Sequence, residues 1–337
     1  MTRRPPLYQP IPGSGLRPAG GLALAGSATA WFGRVALQPD GAGATLPVAE
    51  LPRDIGDRLS ARRPDICGLS LDQPRIMGIL NVTPDSFSDG GDLATVHAAV
   101  ARARTMAPEA DILDIGGEST RPGADEVPVA EEIRRTAPVI RAIRDTGIAT
   151  PISIDTRKAA VAEAALDAGA DMVNDVSALR HDPDLGGVVA SRGVPVCLMH
   201  ARGAPKDMQA DPRYDDVLVE VFDHLEQRIA AATSAGIAPD RIIADPGIGF
   251  GKTLQHNLIL LRGLALYHGL GVPILLGASR KRFIGRIGQA EAAKDRMAGS
   301  IAVALHGVAQ GAHILRVHDV KQTRQALRLH LAIHGDE

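Results

Sequence analysis

The sequence predicts an α/β chain whose main body is a (β/α)8 TIM barrel preceded by an N-terminal extension. Three observations lead there. Eight short apolar runs alternate with stretches of helical periodicity from about residue 67 onward. The runs are short enough to be strands buried on both faces, as parallel strands are. Each run also ends in, or just short of, a polar or charged group: Asn81, Asp114, Asp155, Asn174 with Asp175, His200, Asp245, Ser279 with Lys281, and Arg316 with His318. A parallel barrel gathers its strand C-termini around one mouth, so these endings would open into a single site. A doubly wound open sheet is the alternative, but it does not account for polar residues at every strand end.

Residues 1–66 are rich in Pro, Gly and Arg and are expected to form an extension of unknown role. One small hairpin is expected there, in GLALAGSATAWFGRVALQP around Trp31 and Phe32. The barrel domain is assigned to 67–337. It opens with a short hairpin in ICGLSLD and QPRIMGILNV that leads into the first long buried strand. Helices are expected over 93–107, 127–143, 158–168, 184–191, 214–234, 254–266, 292–310 and 320–333. The first, for example, puts Val96, Ala99, Val100 and Ala103 on one face.

Composition removes several function classes. The chain has 337 residues, 45% hydrophobic and 23% charged, which is ordinary for a globular protein. A net charge of −2 gives no field that would draw in nucleic acid, and 3% aromatic residues leave little for base stacking. Cys67 and Cys197 are the only cysteines, and Cys197 lies inside an apolar run, so reduced thiols are expected rather than a disulfide. No stretch reaches the ~18 apolar residues of a membrane span. Arg3 and Arg4 ahead of GLALAGSATA loosely imitate an export signal, but prolines and GSG intervene, so a cytoplasmic protein is expected.

Several loops carry chemistry. TPDSFSDGG (83–91) combines a stiff Thr-Pro turn, hydroxyls, two acids and a Gly pair, which suits a lid over the mouth. DIGGESTRPGA (114–124) has glycines that admit close backbone approach, with Ser119, Thr120 and Arg121 as donors for phosphate oxygens. SIDTRK at 153, NDVSAL at 174, Met199-His200, DPGIGFGKT at 245 and GASRKRFIG at 277 complete the set. GIGFGKT imitates a nucleotide-binding P-loop, but the first glycine of that motif falls on Pro246, so a triphosphate site is not expected.

Over about 67–335 these motifs, in this order, resemble the dihydropteroate synthase family of folate biosynthesis. The resemblance implies condensation of 6-hydroxymethyl-7,8-dihydropterin pyrophosphate with p-aminobenzoate to 7,8-dihydropteroate and pyrophosphate. It implies that Asp245, Asp155 and Asn174 hold the pterin edge, with Lys281 on the ring carbonyl side and Met199 and Phe250 as apolar contacts. It places magnesium on Asn81, the anion on Arg316, His318, Thr120 and Arg121, and the aminobenzoate carboxylate near Ser279. Asp85, Phe87 and Arg121 belong to lid loops, and Arg121, Lys281, Arg316 and His318 are the expected catalytic groups. It also implies a homodimer through the late helices. A carboxylate suits the pterin edge because it accepts two N–H donors at once.

Plainer roles are expected for some neighbours. Asp114 is expected to hold the second loop through backbone N–H groups, and Asp175 to anchor a neighbouring strand end. His200 is read as a scaffold residue, Lys252 as a donor to nearby carbonyls, and Arg280 and Arg282 as exterior. Glu118 is left open. The chain departs from the family where Met199-His200 is followed by Ala201, Arg202 and Gly203 instead of a second methionine, which bears on contacts from that loop. Two other functions compete with the synthase: an inactive pterin-binding paralogue and a folate-dependent methyltransferase. The intact Asn81 and Arg-Val-His end argue against the first, and TPDSFSDGG with GASRK argues against the second.

Overall fold

The computed structural model describes residues 5–38, 44–82, 92–119, 125–203 and 208–335. In chain order, an antiparallel sheet comes first: β1 (Leu7–Ser14), β2 (Leu22–Ala23), β3 (Ala30–Gln38) and β4 (Thr45–Pro47), followed by α1 (Arg53–Ser60). Eight parallel strands follow: β5 (Arg75–Asn81), β6 (Ile112–Gly116), β7 (Ile152–Asp155), β8 (Met172–Asp175), β9 (Val196–Met199), β10 (Ile242–Asp245), β11 (Leu275–Leu276) and β12 (Ile314–Val317). They pair in the order β10-β9-β8-β7-β6-β5-β12-β11, and a parallel bridge from Ala244 to Ile274 closes the ring. The chain is a (β/α)8 barrel.

Alternation along the strands explains the closure. One set of side chains, Met77, Ile112, Met172, Cys197, Ile243, Leu275 and Ile314, packs inward around Ile66 and Leu71, which plug the floor. The alternate residues, among them Ile76, Leu80, Ile115, Ile154, Val173, Leu198, Ala244 and Leu315, face the helices. A strand buried on both faces reads as a continuous apolar run, which is why periodicity of two is hidden in the sequence.

The helices are α2 (Asp92–Met106), α3 (Val129–Asp145), α4 (Ala159–Asp167), α5 (Leu185–Arg192), α6 (Val217–Ser234), α7 (Leu254–Arg262), α8 (Arg282–Gly288), α9 (Met297–Ala309) and α10 (Val320–His334). Local chemistry sets their starts. Asp216 caps α6 by accepting from the Leu218 and Val219 amides at 3.0 and 3.1 Å. Thr253 and His256 form a reciprocal cap on α7. Two expected helices differ. The stretch 254–266 stops at Arg262 and passes, through Gly263 as the cap, into a 3-10 helix over Leu264–Leu270; Gly263 packs so closely on Leu218 that a Cβ would lie 2.5 Å from it. The stretch 292–310 is a 3-10 turn (Ala293–Arg296) followed by α9. Helix α8 was not anticipated. Its seven residues start inside the GASRKRFIG motif and run on to Gly288, too short a stretch for periodicity to reveal.

The extension is larger than the single hairpin expected. The pair around Trp31 forms, with Leu22 opposite Phe32 and Ala23 opposite Trp31. The main partner of β3 is instead β1, in register from Leu7↔Gln38 to Ser14↔Ala30 with an irregularity between Pro10 and Pro12. Prolines mask β1 in the sequence, and they are tolerated because it is an edge strand. Gly13 leaves room for the Trp31 ring, which would lie 2.5 Å from a Cβ there. Leu24, Phe32, Val35 and Leu59 form a small core that also takes in Ala265 of the barrel. The hairpin expected from ICGLSLD and QPRIMGILNV does not form as such: Ile66 bridges Leu69 alone, within the floor plug, and β5 pairs with parallel neighbours.

Candidate active site

The strand ends meet in one mouth. Asn81, Gly116, Asp155 and Asn174 stand in one register row across β5 to β8. Met199 and Asp245 are paired across β9 and β10. Glycines in this layer leave space: a Cβ at Gly116 would sit 3.8 Å from Asn81 Oδ1 and 3.7 Å from Asp155 Oδ2. One at Gly277 would sit 3.5 Å from Asp245 Oδ2 and 3.8 Å from Arg316 Cδ. Asn81 thus borders the same gap as Asp155, and Asp245 the same gap as Arg316.

Arg316 is the hub. Its Nε donates to Asp114 Oδ2 and its Nη2 to Asp155 Oδ2, both at 2.6 Å. Asn174 Nδ2 lies 3.4 Å from Asp114 Oδ2. Among the described residues Asp114 bonds Arg316 and Asn174 and no loop amide, so it orients those two side chains where loop amides were expected. It is fully buried, and its inward direction follows from its place two residues from Ile112 on the floor layer. Burial works to lower the Arg316 pKa, but Asp114 and Asp155 more than offset it and hold the guanidinium charged.

Two carboxylates remain available to a ligand. Burial, helped by the nearby Asp114 charge, pushes the Asp155 carboxyl up to about 7 against the pull of Arg316. Asp155 Oδ1 is buried with no hydrogen-bond partner among the described residues. Asp245 Oδ1 accepts the Gly247 amide at 2.7 Å, and Oδ2 faces the gap over Gly277. Burial raises its pKa as well, while Gly247 and Lys281 pull it down. Buried acceptors of this kind call for N–H donors from a ligand.

The opposite wall supplies cations and a ring. Lys281 Nζ lies 3.8 Å from the centre of the Phe250 ring. His318 Nδ1 and Ser279 Oγ are 3.0 Å apart, and the His318 amide also donates to that hydroxyl at 3.3 Å. Asp155, Arg316, Asp114 and Asn174 thus form one hydrogen-bonded chain at the strand ends, Asp245 and Arg316 flank Gly277, and Asn81 and Asp155 flank Gly116. Asp85, Phe87, Thr120 and Arg121 lie outside the described residues.

The neighbours sort as follows. Asp175 anchors its own following turn, not a neighbouring strand, by accepting from Ser177 and Leu179 amides. Glu118 pairs with Arg157 at 2.6 Å and with Lys158, and Lys158 also holds Glu132 at 2.7 Å, tying the ends of the second loop to the β7 turn. Arg282 is exposed as expected, but Arg280 is half-buried and paired with Asp319 at 2.5 Å. Arg202 stacks on Tyr214 at 4.0 Å and pairs with Glu220 at 2.7 Å, so the departure from the family pattern braces the outer loop. A cleft of about 770 Å³ exists elsewhere, between the extension and α6, but none of its lining residues stands at a barrel strand end.

Comparison with known proteins adds the following. Residues 77–318 match the family model described as pterin binding enzyme. The chain is 47% identical over 262 residues to the dihydropteroate synthase of Escherichia coli strain K12, an alignment covering 77% of this chain and 92% of that protein. The structure of Xanthomonas albilineans dihydropteroate synthase with 4-aminobenzoic acid matches with a TM-score of 0.76 and 51% identity, covering 82% of this chain and 99% of that one. The enzyme from that organism in complex with 7,8-dihydropteroate matches with a TM-score of 0.73 and 47% identity, over 82% of this chain and 100% of that one.

Proposed function

The chain belongs to the pterin-binding enzyme family, among its dihydropteroate synthases, and from that premise we propose how its strand-end residues divide the condensation of a dihydropterin pyrophosphate with p-aminobenzoate. The observation that carries the reading is the pair of buried, underused carboxylates, Asp155 and Asp245, on either side of Arg316. A pterin presents its 2-amino and ring N3 hydrogens along one edge, and these satisfy such acceptors. Asn174 offers a donor and an acceptor to the same edge. Lys281 faces the ring carbonyl side, with Met199 and Phe250 as apolar walls.

The leaving pyrophosphate meets the cationic side. Arg316 spends Nε and Nη2 on carboxylates and uses Nη1 on neither, so one guanidinium edge remains for phosphate oxygens. His318, held by Ser279, adds a second donor. These donors stabilise the charge that develops as the C–O bond breaks. The electron-rich dihydropterin stabilises the methylene cation, and the amine of p-aminobenzoate attacks it. No covalent enzyme nucleophile is needed. Thr120 and Arg121 would add anion contacts, Asp85 and Phe87 would close over the intermediate, and Ser279 would lie near the aminobenzoate carboxylate.

The residues fit a magnesium ion held mostly by the substrate. Among the described residues no group of three or more His, Cys, Asp or Glu could hold a metal, while Asn81 offers one hard oxygen facing the gap over Gly116. Asn81 would hold the ion, which when bound supplies positive charge to the pyrophosphate. Exposed Ile287, Met297, Leu329 and Ile333 on α8, α9 and α10 support a homodimer through the late helices. No described helix is long and apolar enough to cross a membrane. The two free cysteines support a reducing, cytoplasmic setting.

Purified protein given dihydropterin pyrophosphate, p-aminobenzoate and magnesium should release pyrophosphate and dihydropteroate one for one. A sulfonamide should raise the apparent KM for p-aminobenzoate and leave the limiting rate unchanged. Folded protein that binds pterin but yields no dihydropteroate would favour the inactive paralogue.

A further inference from the structure

Lys252 is almost fully buried, and of the residues assigned to substrate it touches only Phe250, through that residue's backbone carbonyl. It ends the segment 246–252, which lies against 200–203. At Gly247 (φ 68°) and Gly251 (φ 62°) a Cβ would come within 1.8 Å of the His200 carbonyl oxygen and 2.2 Å of the Arg202 carbonyl oxygen. Only glycine lets the two backbones approach so closely. Lys252 Nζ then donates to the Gly247 carbonyl at 2.9 Å, the Phe250 carbonyl at 3.0 Å and His200 Nδ1 at 2.8 Å. The His200 carbonyl lies farther off at 3.4 Å, so four acceptors surround the nitrogen, and burial lowers the Lys252 pKa against the pull of the Asp245 charge. Nδ1 can accept only from a neutral ring protonated on Nε2. Burial, and then the Lys252 charge, push the His200 pKa far down and favour that form.

The two carbonyls so held belong to residues that support the mouth. The Gly247 amide fixes Asp245 Oδ1 at 2.7 Å, and the Phe250 ring seats Lys281 Nζ at 3.8 Å. Asn257 and Gln209 bond Gly249, and Tyr214 bonds the Gly251 carbonyl, so side chains from outside hold the rest of the loop. We propose that Lys252, braced by His200, is a positioning residue for pterin binding, setting through one loop both the aim of the Asp245 carboxylate and the seat of Lys281. The proposal rests on Asp245 and Lys281 contacting the pterin. It also explains why a lysine stands where the sequence imitates a phosphate-binding loop.

The test compares wild type, Lys252→Met and His200→Phe in pterin binding by calorimetry and in the KM for each substrate. Lys252→Met should weaken pterin binding and raise its KM about tenfold, because small displacements of positioned groups are costly. The p-aminobenzoate KM should change less than about threefold, and His200→Phe should give a smaller pterin effect of about threefold. On a Phe250→Leu background, Lys252→Met should add less than its own factor, since both act through one loop. Unchanged pterin affinity with only a smaller active fraction, or factors that multiply in the double variant, would overturn the proposal. Should Lys252→Met fail to fold, His200→Phe decides, and wild-type pterin affinity there refutes the bracing. A wild type that binds no pterin sinks the parent reading together with this one. A wild type that binds it and a Lys252→Met that binds equally sink this one alone.

Discussion

Arg316→Met is expected to lower stability by about 3–5 kcal/mol and to cut kcat/KM by at least about a hundredfold. The stability loss follows from the hub. Arg316 neutralises Asp114 and Asp155 at 2.6 Å each, and both carboxylates are buried. Removing the cation leaves two acids facing each other without water, and one of them must take up a proton. For a chain of this size the change corresponds to a melting temperature roughly 4–7 °C lower. The activity loss has a second origin, because the same guanidinium would face the departing pyrophosphate. Arg316→Lys separates the two effects. A lysine keeps the charge, but as a point charge it cannot grip two carboxylates with two nitrogens. It should recover part of the stability and little of the rate. A melting temperature within about 2 °C of wild type in Arg316→Met would contradict the hub.

Asp245→Asn should weaken pterin binding by about 10²–10³-fold without destabilising the fold. The direction follows from one hydrogen bond. The Gly247 amide donates to Oδ1 at 2.7 Å, so an asparagine keeps its oxygen there and turns its NH₂ toward the gap over Gly277. A donor then faces the pterin N–H donors. Burial raises the Asp245 pKa, which means the ionised carboxylate is held in an unfavourable setting for the sake of the ligand. A neutral amide relieves that, so the melting temperature should stay level or rise while binding collapses. Calorimetric pterin titration with thermal melting reads both. Near-normal affinity would refute the edge assignment.

Much of this was legible in the sequence, for physical reasons that differ by element. Strands buried on both faces produce apolar runs, and their polar ends mark the mouth, so Asn81, Asp155, Asn174, Asp245 and Arg316 could be picked out individually. Their mutual arrangement could not. That Arg316 is shared by Asp114 and Asp155 depends on which strand faces which across the barrel, and no local pattern encodes that. Asp114 was recognisable as inward-facing from its spacing to Ile112, a signal that the nearby glycines obscured. Strand β1 was missed because Pro10 and Pro12 read as loop, although an edge strand accommodates them. Helix α8 was missed for its length. Lys252 was read as a donor to nearby carbonyls, which it is, but its link to His200 was hidden because its acceptors converge on it from two separate segments.

The central claim is that the carboxylates around Arg316 hold a pterin ring edge. The most direct measurement is a crystal structure of this protein with a pterin bound. The account predicts the 2-amino and N3 side of the ring within hydrogen-bond distance of Asp245 and Asp155, with Asn174 on the same edge and Lys281 beside the ring carbonyl. A ring bound outside the mouth, or one in the mouth with its carbonyl turned toward Asp245, would contradict it.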